Sequence, residues 1–269
     1  MKMKYPIGFV FEEEPQEVGT EMTAAPSATP AKSLAQVFFP EKGQTFTYFN
    51  DLFDLKRGDI VFVEGKLEGI RGVVREVNKN FKIKVSDYKK VISVADTKVS
   101  GQLNMAGSHF VSFDAAVLPY EKLRTWYLPP VKPEDEFESG NDDTAIALEK
   151  LRDMKVSPTV WERGHEYYMD NRVCYICVDG GHGKAIVQGE RAYEVEFEFD
   201  AGEIRNLICS CPCGYTCKHQ VAVLMQLREL LDLIEKHYAT RHYGYFAAIT
   251  RGDLFHFAID SQEAGSFTL

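Results

Sequence analysis

The sequence predicts a mixed α+β protein in which a small all-β domain precedes a metal-stabilised α+β domain. Residues 34–96 divide into short apolar or alternating segments separated by Gly, Asn and Asp, which is typical of short strands. Prolines followed by acidic residues over 129–143 indicate a domain boundary. All six cysteines lie between positions 174 and 217, and four of them lie with one histidine inside residues 209–219. Such clustering favours a metal site over disulfides.

Composition is that of a soluble globular chain. The 269 residues are long enough for two small domains, and the hydrophobic and charged fractions of 45% and 26% are ordinary. No segment approaches the roughly 20 apolar residues that span a bilayer. The start lacks a long apolar run, and Glu12 to Glu14 follow it closely, which is unlike a signal peptide. We therefore expect a cytoplasmic protein without a membrane partner.

The N-terminal half is predicted to form a small β-barrel. Residues 1–33 form an N-terminal segment and flexible linker with three prolines in residues 12–33, and the barrel domain with extra strands covers 34–130. Short strands must hide their edges, and closure into a barrel does this. The predicted strands are Leu34–Phe39, Thr45–Phe49, Asp59–Glu64, Gly69–Val77, Phe81–Val85 and Val91–Val94. The rhythm of 55–64 followed by 72–77 resembles SH3-like barrels, which implies that fold but no particular task.

Residues 97–130 carry apolar and aromatic side chains that predict further strands or a hairpin packed on the barrel. These side chains are Phe110, Val111, Phe113, Trp126 and Tyr127. Residues 131–143 then form an acidic, proline-containing linker.

Charge is distributed unevenly along the chain. The net charge of −9 argues against strong non-specific binding to long nucleic acid. Residues 34–100, however, hold 12 Lys and Arg against 9 Asp and Glu, whereas residues 150–240 hold 11 against 14. A nucleic-acid contact is therefore expected in the first half, and the alternative is a solvated strand face. The candidate residues are Arg71, Arg75, Lys79, Lys82, Lys84, Lys89 and Lys90.

The second domain, residues 144–269, is predicted to contain helices around a four-stranded antiparallel sheet. A first helix is expected after Asp143 or Thr144, and a second after Ser157, where a serine N-cap precedes a proline. The expected strands are Val173–Val178, Lys184–Gln188, Ala192–Phe199 and Glu203–Cys209. An apolar helix follows residue 219, and the aromatic segment 243–259 is either core or a partner-binding stripe.

The string from Cys209 to His219 has the chemistry of a zinc site. Cys209 and Cys211 form a C-x-C pair, and Cys217 and His219 form a C-x-H pair after a short loop. Zinc takes four such ligands in a tetrahedron, and a short loop between two pairs can close it. Cys213 is a fifth candidate that could replace Cys211 or remain a free thiol. Four protein ligands leave no open position, which predicts a structural Zn²⁺ site.

The other two cysteines have a different context. Cys174 and Cys177 are spaced C-x-x-C, which can bind metal or perform redox chemistry, but they lie in an apolar strand. We interpret them as small buried hydrophobes.

These motifs together resemble the SWIM zinc finger family over about residues 144–236. That family carries C-x-C and C-x-H ligand pairs in a β-β-α unit, and bacterial members often have a preceding helix with W-x-R-G-x-x-Y-Y. The chain matches at Trp161, Arg163, Gly164, Tyr167 and Tyr168. The resemblance implies the four zinc ligands Cys209, Cys211, Cys217 and His219. It also implies binding to DNA or protein, since members occur beside Swi/Snf-type ATPases, in Mutator-type transposases and in recombination accessory proteins.

Catalytic motifs fail at defined positions. Val178 and Ala185 replace the glycine and hydroxyl residue that a phosphate-binding loop would need around Gly180 to Lys184. Met169 replaces the second histidine of a zinc-protease motif that would begin at His165. We therefore expect a non-enzymatic zinc adaptor that recognises DNA, RNA or a nucleic-acid-bound protein. The alternative is a pure protein–protein module associated with a Swi/Snf-type ATPase.

Overall fold

A computed structural model describes residues 30–98, 103–106, 109–112, 117–133, 139–140, 144–238 and 245–263. The strands are β1 (Ser33–Phe39), β2 (Gln44–Asn50), β3 (Ile60–Val63), β4 (Gly72–Asn78), β5 (Val91–Val94), β6 (Leu103–Ala106), β7 (His109–Ser112), β8 (Ile146–Ala147), β9 (Val173–Asp179), β10 (His182–Gln188), β11 (Ala192–Asp200), β12 (Glu203–Cys209) and β13 (Tyr245–Thr250). The helices are α1 (Tyr120–Tyr127), α2 (Pro158–Met169), α3 (Lys218–Tyr238) and α4 (Arg251–Glu263). The mixed α+β class predicted from the sequence is confirmed.

The first sheet has five strands in the order β2-β1-β4-β3-β5, all antiparallel. Along β1 the buried positions alternate, so that Ala35, Val37 and Phe39 face a small core. A single parallel bridge between Phe49 and Lys90 joins the two edges at one end. The ladder does not close into a barrel, and the SH3-like fold is not confirmed.

Residues 81–85 do not form the predicted strand. They lie in a loop that ends in a short 3₁₀ helix, Val85–Asp87. Only Phe81 and Ile83 of this segment are half-buried, while Lys82 and Lys84 are exposed. Alternation alone therefore does not produce a strand here, because the segment has no neighbouring ladder to join.

The second sheet has eight antiparallel strands in the order β6-β7-β13-β9-β10-β11-β12-β8. The four predicted strands form its centre and lie within one or two residues of the expected bounds. The hairpin of β6 and β7, however, pairs with β13 and not with the N-terminal strands. Residues 246–249 of β13 are at most 2% exposed, so this strand needs neighbours on both edges and a cover on both faces.

Helices α2 and α3 cover one face of the second sheet. Their side chains share a core with alternating sheet residues such as Ile176, Val187 and Phe197. Ser157 caps α2 as predicted, because its Oγ accepts a hydrogen bond of 3.3 Å from the amide of Val160. The helix expected near residue 144 is instead the short strand β8 followed by a 3₁₀ helix at residues 148–153. Asp143, its alternative cap, lies outside the described residues.

The opposite face of the second sheet is covered by α1, α4 and the first sheet. Cys174, Tyr175 and Cys177 of β9 share a core with residues from all three, including Trp126 and Phe257. Trp126 and Tyr127 therefore lie on a helix and not on the strands expected from their aromatic character. Phe113, which was also part of the prediction of further strands over residues 97–130, lies outside the described residues. Of the C-terminal segment, β13 and Phe257 are buried in the core, whereas Phe255 and Ile259 of α4 are exposed.

Candidate metal centre

The zinc ligand candidates meet where β12 ends and α3 begins. Cys209 is the last residue of β12, Cys217 directly precedes α3, and His219 lies in its first turn. The ligand atoms of Cys209, Cys211, Cys217 and His219 all lie within 4.8 Å of one another. Cys213 is exposed and lies outside this group. The structure thus places Cys211, and not its alternative Cys213, with the other three.

The spacing of the ligand atoms suits zinc. The Nδ1 atom of His219 lies 3.7 Å from the Sγ atoms of both Cys209 and Cys217. With zinc bond lengths of about 2.3 Å to sulfur and about 2.0 Å to nitrogen, tetrahedral angles require a sulfur–nitrogen separation of about 3.5 Å. Two cysteines and the histidine are at most 5% exposed, so the group is largely shielded from water. The set of residues fits Zn²⁺.

Electrostatics also favour a cation at this point. The adjacent Cys209 thiol, together with His219 and the Gln220 amide, lowers the pKa of the Cys217 thiol to about 4. Conversely, the hydrogen bond to Cys217 and burial raise the pKa of Cys209, and burial raises the pKa of Cys211 to about 11. Without a cation, therefore, Cys217 ionises readily, whereas Cys209 and Cys211 stay protonated at neutral pH. A divalent cation removes this repulsion and lets all three thiols ionise.

Gln220 fixes the start of α3 against β12. Its Oε1 accepts a hydrogen bond of 2.7 Å from the Cys217 amide, and its Nε2 donates one of 2.8 Å to the carbonyl of Leu207. The first contact is half of a capping box, in which a residue of the first turn satisfies the N-cap amide. Gln220 thereby joins the two elements that supply the ligand pairs. Sequence reasoning missed it, although its position three residues after Cys217 is a capping signal.

Aromatic side chains enclose the ring of His219. Tyr193 stacks on it at a centroid separation of 4.6 Å, and Tyr167 meets it edge-on at 5.4 Å. The Nε2 atom is buried, and no described residue accepts a hydrogen bond from it. A Cβ at Gly189 would lie 2.8 Å from the Tyr193 ring and 3.2 Å from this Nε2. Ring packing, and not a hydrogen bond, holds this ligand in place.

The base of the zinc loop is anchored to α1 through Glu194. Ser210 lies between two ligands, and its backbone amide and Oγ both bond to the backbone of Glu194 at 2.9 Å. The Glu194 carboxylate in turn accepts hydrogen bonds from Arg124 at 2.8 and 3.2 Å and from the Tyr120 hydroxyl at 2.6 Å. Charged hydrogen bonds in a half-buried position are among the stronger polar contacts. They connect the zinc loop to a helix far away in sequence.

The predicted basic residues do not form one free surface. Three lysines pair with aspartates: Lys79 with Asp54 at 3.3 Å, Lys84 with Asp87 at 3.9 Å and Lys90 with Asp51 at 2.8 Å. The two arginines contact rings, Arg71 lying 3.6 Å from the Trp126 centroid and Arg75 lying 5.1 Å from that of Phe38. Lys82, Lys84 and Lys89 are exposed on the loop between β4 and β5.

Cys174 and Cys177 are buried in β9, as interpreted from the sequence. They are 5% and 3% exposed. Burial raises the pKa of Cys177 to about 11 and that of Cys174 further. Thiols with such high pKa values are poor nucleophiles and poor metal ligands at neutral pH.

Comparison with known proteins supports the zinc assignment. Residues 193–227 match the SWIM zinc finger family, and this segment contains all four ligand candidates. A SWIM domain is therefore present and binds Zn²⁺ through its Cys and His cluster. No curated protein and no solved structure matches the chain. Within the described parts of the chain, every helix is too short or too polar to cross a bilayer.

Proposed function

We propose that this chain is a non-enzymatic, cytoplasmic zinc adaptor that recognises nucleic acid or a nucleic-acid-bound protein. The observation that carries the proposal is the closed ligand set: four protein atoms lie within 4.8 Å of one another, and three of the four residues are buried. Such a set leaves no coordination position for a substrate or an activated water. The zinc would therefore organise the surrounding surface and take no part in chemistry.

The nucleic-acid contact is assigned to the loop between β4 and β5. Lys82, Lys84 and Lys89 project from it as exposed side chains. Flexible surface lysines bind phosphates through charge and release counterions when they do so. Each lysine that contacts a phosphate should contribute about one unit to the slope of log affinity against log salt.

A salt titration with a charge-matched control tests this contact. Binding to single- and double-stranded DNA and RNA is measured at rising salt for the wild-type chain and for the triple variant Lys82→Gln, Lys84→Gln, Lys89→Gln. The control neutralises three exposed lysines of the C-terminal half, Lys150→Gln, Lys155→Gln and Lys236→Gln. We expect weaker binding and a shallower salt slope only for the first variant. No binding at low salt, or equal losses in both variants, would refute direct contact.

The alternative, a protein–protein module associated with a Swi/Snf-type ATPase, is favoured by a different observation. Tyr215 of the zinc loop is 91% exposed and Ile208 of β12 is 37% exposed, so both offer apolar surface to a protein partner. The aspartate pairs of Lys79, Lys84 and Lys90 also reduce the charge available to phosphates. Co-purification with an ATPase that persists after nuclease treatment, and that is lost in Tyr215→Ser, would support this alternative.

A further inference from the structure

A cleft of about 800 Å³ separates the first sheet from the zinc-bearing edge of the second sheet. One wall is formed by residues 68–71, and another by the end of α1 with the segment 128–132. Residues 188–194 and Ser210 of the zinc loop form the far side. The cleft thus runs from Arg71 to the zinc loop and is separate from the exposed lysines between β4 and β5.

Arg71 brings a half-buried positive charge to this cleft. Its guanidinium lies 3.6 Å from the Trp126 centroid and 5.8 Å from that of Tyr127. Its Nη1 atom is buried, and no described residue accepts a hydrogen bond from it. The Asp253 carboxylate accepts a hydrogen bond from the Thr250 hydroxyl, and its charge and that of Arg71 act on the same two groups, Tyr127 and Cys174. Stacking on Trp126 holds the guanidinium in one position, so an anionic group at its accessible side in the cleft would be stabilised.

The other charges of the cleft narrow the choice of ligand. Arg124 is already paired with Glu194 at 2.8 Å, and Lys132 with Glu68 at 2.7 Å. Further glutamates, Glu41 and Glu190, line the cleft beside Lys42 and Arg191. A polyphosphate chain would be repelled by these carboxylates, whereas a polypeptide can match both signs of charge along its length.

The uncharged residues that line the cleft also favour a polypeptide ligand. Pro129, Pro130, Tyr127 and Tyr193 offer prolyl and aromatic surfaces of the kind that receive extended peptides. We propose that this cleft binds an extended segment of a protein partner that carries charges of both signs, with one Asp or Glu carboxylate bound to the guanidinium of Arg71. The planar guanidinium can hold a carboxylate through two parallel hydrogen bonds while it remains stacked on Trp126.

The chain contains only two tryptophans, Trp126 and Trp161, which allows a direct optical test. In a Trp161→Phe background, Trp126 becomes the sole tryptophan and lies against the proposed anchor. A blocked peptide of alternating Glu and Lys should change its fluorescence saturably. A Lys-rich peptide of equal length and oligothymidylate should not. Saturable binding of oligothymidylate that depends on Arg71 would overturn the proposal in favour of a nucleic-acid cleft.

Arg71→Met retains a long apolar side chain for packing on Trp126 and removes the charge. We expect it to weaken peptide binding by about 10- to 100-fold, which is the range for loss of a charged hydrogen bond. Arg163→Met, at an exposed arginine of α2, is the matched control and should bind normally. If Arg71→Met does not fold, Arg71→Lys keeps the charge but loses the bidentate geometry, and about a tenfold loss is expected. An unresponsive wild-type protein, or equal affinity in both arginine variants, would refute the site.

Discussion

Gly164 sets the distance between α2 and α3, and its replacement by alanine should destabilise the protein. A Cβ at this position would lie 2.5 Å from Cγ1 and 2.6 Å from Cβ of Val221, and 3.1 Å from the carbonyl oxygen of Lys218. Non-bonded carbon atoms prefer separations of about 3.5–4.0 Å, so relief requires a shift of about 1 Å. Val221 is 1% exposed and β-branched, which restricts rotation of its side chain away from the contact.

Two opposing effects determine the size of the change. Alanine gains about 1 kcal/mol over glycine in a helix interior, whereas overpacking of a dense core costs about 1–3 kcal/mol or more. The contact with backbone at Lys218 cannot be relieved by a rotamer change, so overpacking should prevail. We expect a net loss of about 1–3 kcal/mol and a fall in Tm of about 2–4 °C for each kcal/mol.

The assay is thermal unfolding, in which the Tm of Gly164→Ala is compared with that of the control variant Gly252→Ala. Gly252 also lies in a helix, α4, but a Cβ there meets nothing within 4 Å. That control should gain up to about 1 kcal/mol. Val221→Ala combined with Gly164→Ala should be less destabilising than the sum of the single changes, because the clashing methyl group is gone. The reasoning would be refuted if both glycine variants raised the Tm equally.

Three further outcomes are expected. Chelation should release a single zinc per chain, seen by native mass spectrometry, and lower the Tm. The far-UV circular dichroism should persist, because only Cys209 of the ligands packs against the large core of the second sheet. Loss of the spectrum would contradict this. Gln220→Ala should weaken zinc binding by about tenfold in a chelator competition, because it leaves the Cys217 amide and the Leu207 carbonyl without partners. Unchanged zinc affinity would refute the role of Gln220 in positioning the ligands. Near pH 8, iodoacetamide should alkylate the exposed Cys213 long before the buried Cys177. The raised pKa of Cys177, about 11, leaves about one thiolate in a thousand at that pH. Peptide mapping measures the order, and earlier alkylation of Cys177 would contradict this prediction.

Local signals explain what the sequence predicted correctly. The ligand spacing, the N-cap at Ser157 and the four central strands each depend on residues within a few positions of one another. Gly164 belongs to the local W-x-R-G motif, and the structure shows that it permits a close approach to Val221. The pairing of β7 with β13 joins segments more than 130 residues apart, and alternation in either strand carries no information about its partner.

The helix α1 was missed for a related reason. Its aromatic residues favour strands by composition, but Tyr120, Leu123 and Trp126 are spaced by three and are all buried on one face. The spacing of the buried residues therefore predicts the helix correctly, whereas the aromatic content of the segment wrongly favours strands. The partners of the ligands, such as Tyr193 and Gln220, could not be assigned roles because their contacts depend on how β11, β12 and α3 meet.

Glu194 shows why the zinc loop depends on residues that precede it by 70 positions or more. Its backbone holds Ser210 between two ligands, and its carboxylate is held by Arg124 and Tyr120 of α1. That helix also packs in the core shared by the first sheet and α4. A fragment beginning at residue 144 would lose α1 and β7, so Glu194 would be a half-buried charge without its arginine and β13 would have an unpaired edge. The zinc loop and the cleft beside Arg71 are therefore built by the same contacts, and a ligand that moves α1 would alter the position of the zinc ligands.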